Sequence, residues 1–196
     1  MNFIVDDKVF KGIDKYNYIM QNIQKTDVYA NQEFRKKYCA YYGLNRNTSK
    51  DFQDEYFKYM QENKSCKTLD YGRVLRDLYE KTNRVDYSFS SKLLHTINPD
   101  MPILDKHLMR MLGFQLKSIG DNSSRLDYYK KVYDIVLKEY NDIHTNLSNG
   151  NAKIHNAIRV LQETFQNKCQ GLSMAKIIDS IIFRMKDARG PSILEI

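Results

Sequence analysis

Apolar residues recur along this chain at three- and four-residue spacing, which is the period of an amphipathic α-helix. The pattern is clearest in LDYGRVLRDLYEKTN (69–83), SRLDYYKKVYDIVLKEYNDI (124–143) and SMAKIIDSIIFRMKD (173–187), the last with Ser173 as its N-cap. Further helices are predicted over 7–25, 31–43, 49–63, 86–97, 105–112 and 151–167. No alternating segments flank a hairpin turn. The chain is therefore predicted to be all-α, with a compact multi-helix fold.

Short clusters of turn residues separate these helices, and none is long enough to link independent domains. We therefore expect residues 1–196 to form a single helical domain, with 117–124 as a candidate hinge between two lobes. A length of 196 residues with 42% hydrophobic content is enough for a substantial core.

The charge balance is basic: 31 Lys+Arg against 24 Asp+Glu give a net charge of +7. Such an excess suggests an acidic partner, with nucleic acid first and an anionic membrane surface second, although a soluble basic protein without such a partner is the alternative. Cys39, Cys66 and Cys169 are too far apart to indicate a disulfide framework or a metal site, so no metal or other cofactor is predicted. The sequence shows no secretory signal and no membrane-spanning apolar run, which predicts a cytoplasmic protein. The oligomeric state is left open.

The stretch SSKLLHTINPDMPILDKHLMRMLGF (90–114) holds two of the three prolines. Because a residue that precedes proline disfavours the helical conformation, the helix that carries Lys92 should end at Asn98. Pro102 fixes another backbone φ angle, and Asp105 is a favourable N-cap for the segment that follows. The stretch therefore predicts a helix, a rigid elbow and a capped helix.

Lys92 and Asp105 form a candidate chemical pair across this elbow. A lysine whose pKa is lowered by its surroundings can form a Schiff base, and a carboxylate can stabilise an oxocarbenium-like centre. The alternative for Asp105 is a purely structural cap, and for Lys92 an ordinary surface lysine.

The same residues resemble a known family. PILDKHLMRMLGF (102–114) is similar to the P-[VI]-D-T-H-V-x-R-…-L-G-L segment of helix-hairpin-helix DNA glycosylases, with one extra residue, Leu104, before the aspartate. Upstream, FSSKLL (89–94) resembles the G-[VI]-G-x-K-x-A end of the family's hairpin, with Lys92 at the lysine of the bifunctional members. The two hairpin glycines are replaced here, and the four-cysteine iron–sulfur loop of some members is absent. The resemblance covers about residues 70–114 and extends more weakly to AKIIDSIIFRM (175–185).

The resemblance implies a two-lobed glycosylase-like architecture with its site near residues 88–112. It also implies base excision from double-stranded DNA that carries a damaged or modified base, which must be flipped out of the helix before it can react. In that role Asp105 would support departure of the base, and Lys92 would attack C1′ as the Schiff-base nucleophile of an AP lyase. Ser90 and Ser91 occupy the place where the family's hairpin grips a phosphate through main-chain N–H groups.

Four further residues are candidate DNA contacts: His95, Lys106, His107 and Arg110. His95 follows Lys92 by one helical turn, where it would tune the lysine or contact phosphate; the alternative is a satisfied core or surface histidine. His107 and Arg110 share one helix face, which is either a phosphate-binding face or an ordinary solvated one. Lys106 opposes the helix dipole, which favours a functional reason for its presence.

Two other functions are compatible with the sequence. The first is a non-catalytic helical DNA-binding module on the same scaffold. The second is a protein-interaction domain with no affinity for nucleic acid.

Overall fold

The helical periodicity of the sequence is realised as eight α-helices in the part of the chain that the computed structural model describes, which is residues 7–46, 48–114, 120–148 and 172–185. The helices are α1 (Asp7–Asn22), α2 (Gln32–Tyr42), α3 (Lys50–Asn63), α4 (Tyr71–Thr82), α5 (Tyr87–Ile97), α6 (Lys106–Met111), α7 (Asn122–Ser148) and α8 (Met174–Met185). A 3-10 turn, Leu44–Arg46, lies between α2 and α3. No strand occurs in these ranges, so the all-α prediction is confirmed for them. The helix predicted over 151–167 lies outside the described residues.

Capping side chains determine where the helices begin, because the first amides of a helix have no partner inside it. Asn31, Ser49, Asp70 and Asp86 each accept a hydrogen bond from the amide three residues later, at the starts of α2, α3, α4 and α5. Two helices end at a residue in the left-handed conformation: Gly43 (φ 73°) after α2 and Asn83 (φ 53°) after α4.

The contacts divide the chain into two compact units between Asn98 and Pro99. We call the described residues before Pro99 the N-terminal unit and those from Pro99 onward the C-terminal unit. The predicted hinge at 117–124 falls partly outside the described residues.

The N-terminal unit is built on an aromatic core. Helix α1 packs on α2, α3 on α4, and α5 on both α3 and α4. Phe34, Tyr38, Tyr56 and Phe57 are fully buried between these helices. Burial of such large side chains stabilises the unit through the hydrophobic effect.

In the C-terminal unit, α6 and α7 both pack on α8. One stripe of α7 is buried, with members spaced three and four residues apart as the sequence pattern predicts: Tyr129, Val132, Tyr133, Val136 and Tyr140. Throughout the described ranges, every helix is too short or too polar to span a membrane.

Candidate active site

The proline elbow, residues 99–105, is held in place by helices that lie later in the chain. The Ser173 hydroxyl donates to the Pro99 carbonyl at 2.5 Å, and the Tyr133 hydroxyl donates to the Pro102 carbonyl at 3.0 Å. Leu104 is fully buried beside them. Ser173 also accepts a hydrogen bond from the Lys176 amide at 3.1 Å, which confirms it as the N-cap of α8. The elbow is therefore fixed both by its two prolines and by side chains of α7 and α8.

Asp105 ends the elbow and caps α6, as the sequence predicts. Its Oδ1 accepts hydrogen bonds from the amides of His107, at 2.8 Å, and Leu108, at 2.9 Å. No described residue donates a hydrogen bond to its Oδ2. The side chain is half-buried. Asp105 is thus a carboxylate whose Oδ1 is held by two amides, and its use in catalysis stays a prediction.

Three ionisable side chains of α7 and α8 belong to the same unit as Asp105: Tyr140, Lys176 and Asp179. Lys176 is buried, and its Nζ donates to Asp179 Oδ2 at 2.5 Å along one turn of α8. Tyr140, on α7, is only 6% exposed, and its hydroxyl has no hydrogen-bond partner. Burial raises the pKa of Tyr140 well above its usual value, and the negative charges of Asp179 and Asp105 raise it further. Asp105 therefore lies within electrostatic reach of the Tyr140 hydroxyl.

Sequence reasoning missed these three residues as site candidates. It counted Tyr140 only as a member of the apolar stripe of α7. A signal was nevertheless present at Lys176, a lysine inside the apolar run AKIID, where a charge must be paired if it is buried.

Lys92 lies on α5, in the N-terminal unit. Its Nζ is 3.4 Å from the Tyr42 carbonyl and 4.8 Å from the centre of the Phe89 ring. These contacts hold the Lys92 side chain within the N-terminal unit. Because Lys92 and Asp105 belong to different units, their meeting at one site stays a prediction.

Three of the predicted DNA contacts are fully buried in the N-terminal unit: Ser90, Ser91 and His95. A side chain that contacts phosphate has to be exposed at the surface. The Ser90 amide and hydroxyl both donate to the Asp86 carbonyl, at 3.1 and 2.7 Å, and the Ser91 hydroxyl donates to the Ser88 carbonyl at 2.9 Å. These bonds belong to the regular turns of α5, so the two serines stand inside a helix and form no hairpin loop. A phosphate would reach them only if the helix opened.

His95 matches the core alternative that the sequence left open. Its Nε2 is 3.0 Å from the Tyr16 hydroxyl, and the two rings lie 5.7 Å apart. A fully buried imidazole that is paired in this way holds α5 against α1. Direct contact with DNA is not available to it in this structure.

The three basic candidates on α6 are at least partly exposed, as a DNA contact requires. Lys106 and Arg110 are exposed and His107 is half-buried. His107 and Arg110 are three residues apart, so they share one face of the helix. Their role in DNA binding stays a prediction.

Comparison of the chain with models of known protein families, with characterised proteins and with solved structures found no match. The resemblance to helix-hairpin-helix glycosylases therefore rests on the sequence segments quoted above.

Proposed function

We propose that the protein is a DNA-binding base-excision glycosylase with a two-lobed helix-hairpin-helix-like architecture, in which Asp105 supports departure of the base. The observation that carries the proposal is the geometry of Asp105, whose Oδ1 is bonded to two amides while no described residue bonds to its Oδ2. The resemblance of residues 102–114 and the net charge of +7 also support it.

The chemistry follows from the charge that develops as the base leaves. The target nucleotide is flipped out of the duplex, and breakage of the C1′–N bond leaves positive charge on the sugar. A fixed carboxylate stabilises this charge without the cost of reorganising water. Either water or the Lys92 amine then adds to C1′. Addition of the amine gives a Schiff base, which leads to strand cleavage.

Asp105→Asn tests the carboxylate with little disturbance of the fold. Asparagine is as good an N-cap as aspartate, so α6 keeps its start while the charge is lost. We expect base release from duplexes with damaged or modified bases, measured in single turnover, to fall by about 10²-fold or more.

The matched control is Asp121→Asn, since Asp121 accepts a hydrogen bond from the Ser124 amide at 2.8 Å near the start of α7 and is fully exposed. This variant should release base at the parent rate. A parent protein that releases no base from any duplex in the panel would reject the proposal.

Borohydride trapping tests Lys92 separately. The parent should form a covalent adduct with DNA that contains an abasic site, and Lys92→Ala should form none, whereas the exposed Lys130→Ala serves as a control that keeps the adduct. Base release that persists in Lys92→Ala would assign the attack on C1′ to water.

One observation favours the second candidate function, a non-catalytic DNA-binding module. The Lys92 Nζ already contacts the Tyr42 carbonyl and the Phe89 ring within the N-terminal unit, which is compatible with a structural role for this lysine. Such a module would bind duplex DNA with equal affinity after Asp105→Asn, and Arg110→Ala would reduce the slope of log K against log salt by about 1. Failure to bind DNA even at low salt would favour the protein-interaction domain.

A further inference from the structure

A stack of side chains runs from the core of the N-terminal unit to its surface. The Phe57 ring is fully buried at the inner end, and the Arg35 guanidinium lies over it, 4.8 Å from the ring centre. The same guanidinium lies over the Tyr29 ring, 5.9 Å from its centre. Tyr29 is 43% exposed and is one of two exposed large hydrophobic side chains in the part of the chain that the structure describes. The stack therefore ends in an aromatic ring at the surface.

Tyr29 is held in place from several sides although it is exposed. Its amide donates to Asp27 Oδ1 at 2.9 Å, and its carbonyl accepts a hydrogen bond from Arg35 at 3.3 Å. Arg35 is itself fixed by an ion pair with Asp54, and its side chain is only 14% exposed. A ring that the fold has already positioned loses little conformational freedom when a second ring stacks on it.

Lysines surround the outer end of this stack. Lys25 is exposed on the loop that leads to Tyr29, and Lys36 is exposed on α2, next to Arg35 in the chain. The Lys64 Nζ donates to the Thr26 carbonyl at 2.6 Å, which brings a third ammonium to the same loop. An aromatic ring with several cations beside it is the combination that binds single strands of nucleic acid.

The carboxylates of residues 25–37, and Asp54 beside them, offset only part of this charge. Asp54 pairs with Arg35, and Glu33 pairs with Lys37 at 2.8 Å. Asp27 accepts two backbone amides through Oδ1. The three lysines around the stack are therefore left with one carboxylate, that of Asp27, and an anionic partner is favoured.

We propose that the surface formed by Tyr29, Lys25 and Lys36 binds single-stranded DNA, with an unpaired base stacked on the outer face of the Tyr29 ring and backbone phosphates on the lysines. A single strand fits because the bases of a duplex already stack on one another and leave no face free. The inference goes beyond the proposed function, since it concerns the N-terminal unit alone and does not depend on base excision.

Fluorescence anisotropy with two labelled oligomers separates stacking from charge. One is an oligothymidylate of about 12 nucleotides, and the other carries the same number of phosphates with propanediol in place of each nucleoside. In the full-length protein, Tyr29→Ala should weaken binding of the oligothymidylate about tenfold and leave binding of the propanediol oligomer unchanged. Tyr29→Phe keeps the ring and should bind both oligomers as the parent does.

Ile135→Ala is the matched control, because Ile135 is the other exposed large hydrophobic side chain of the described residues, at 47%, and lies on α7. This variant should bind the oligothymidylate as the parent does. Lys36→Gln tests the phosphate contact, and it should reduce the slope of log K against log salt by about 0.7 for both oligomers.

Three results would overturn the inference. The first is a parent that does not bind the oligothymidylate even at low salt, and the second is equal binding by the parent and Tyr29→Ala. The third is an equal loss on both oligomers in Tyr29→Ala, which would show that the ring does not act by stacking.

Failure of this inference can be distinguished from failure of the proposed function. Base release that depends on Asp105, with oligothymidylate binding unchanged in Tyr29→Ala, would support the glycosylase and reject the stacking surface. A loss of binding confined to the oligothymidylate in Tyr29→Ala, with no base release by the parent, would support the stacking surface and reject the glycosylase.

Discussion

Asp86 in the N-terminal unit and Asp105 in the C-terminal unit both begin a helix, but they use their carboxylates differently. Asp86 accepts the Phe89 amide through Oδ1 at 3.0 Å and pairs with Arg84 through Oδ2 at 2.9 Å. Asp105 accepts two amides through Oδ1, and no described residue bonds to Oδ2. Both oxygens of Asp86 therefore contact described residues, whereas only one oxygen of Asp105 does.

One buried tyrosine of the C-terminal unit, Tyr140, differs from Tyr38 and Tyr56 of the N-terminal unit in the same way. In the N-terminal unit, the Tyr38 and Tyr56 hydroxyls are 2.7 Å apart, and Tyr56 also donates to the Phe89 carbonyl at 2.9 Å. In the C-terminal unit, the Tyr140 hydroxyl has no partner. Paired polar groups in a core hold one arrangement of the chain. Unpaired ones cost stability, so the two kinds of tyrosine should respond differently to loss of the hydroxyl.

Alkaline pH should produce the largest predicted effect, a fall in the free energy of unfolding caused by the buried tyrosines. Burial raises the pKa of Tyr38, Tyr42 and Tyr56 in the folded protein above the ordinary value of a tyrosine. Above about pH 10 the unfolded chain has lost these protons while the folded chain retains them, so stability is fully present below pH 10 and falls as pH rises. Each such tyrosine contributes a slope of up to about 1.4 kcal/mol per pH unit.

Urea unfolding between pH 8 and pH 11.5 measures this slope. Tyr56→Phe should make it shallower, because one group that titrates in the unfolded chain has been removed. Tyr29→Phe, at a tyrosine that is 43% exposed, provides the comparison outside the core. Equal slopes in the parent and in Tyr56→Phe would contradict the conclusion that burial raises the pKa of Tyr56 in the folded protein.

At neutral pH, Tyr56→Phe should lower the free energy of unfolding, whereas Tyr140→Phe should not. Tyr56→Phe removes the bonds to Tyr38 and to the Phe89 carbonyl, which should lower the free energy of unfolding by about 1–3 kcal/mol. Tyr140→Phe removes an unpaired hydroxyl and should not lower it. Urea unfolding of both variants at pH 7 measures the difference, and destabilisation by both would remove the distinction between the two units.

The sequence was sufficient to predict the features of this fold that depend on local physics. Helical periodicity located α4, α7 and α8, and the chemistry of N-caps identified Asp105 and Ser173. The two prolines predicted the elbow. Each of these depends on residues that are close together in the chain, so short-range rules apply.

The polar residues of the core were harder to predict, because their partners are distant in sequence. Ser90 and Ser91 were predicted phosphate contacts, and His95 was left open between a DNA contact and a satisfied core or surface histidine. All three are buried on α5. Serine tolerates this because its hydroxyl can donate to a carbonyl of its own helix. Tyr140 looked like an ordinary core residue, because a missing partner becomes visible only once the surrounding helices are in place.

The smallest predicted effect returns to the two caps, where replacement by asparagine should separate fold from function. In Asp86→Asn the cap is kept, but the ion pair with the half-exposed Arg84 is lost, which should cost about 0.5–1 kcal/mol after screening by solvent. In Asp105→Asn no ion pair with a described residue is lost, so the free energy of unfolding should change by less than about 0.5 kcal/mol. Urea unfolding of the two variants side by side gives both values. If Asp105→Asn were the more destabilising, its charge would be needed by the fold, and a loss of base release in that variant would no longer identify Asp105 as the reacting carboxylate.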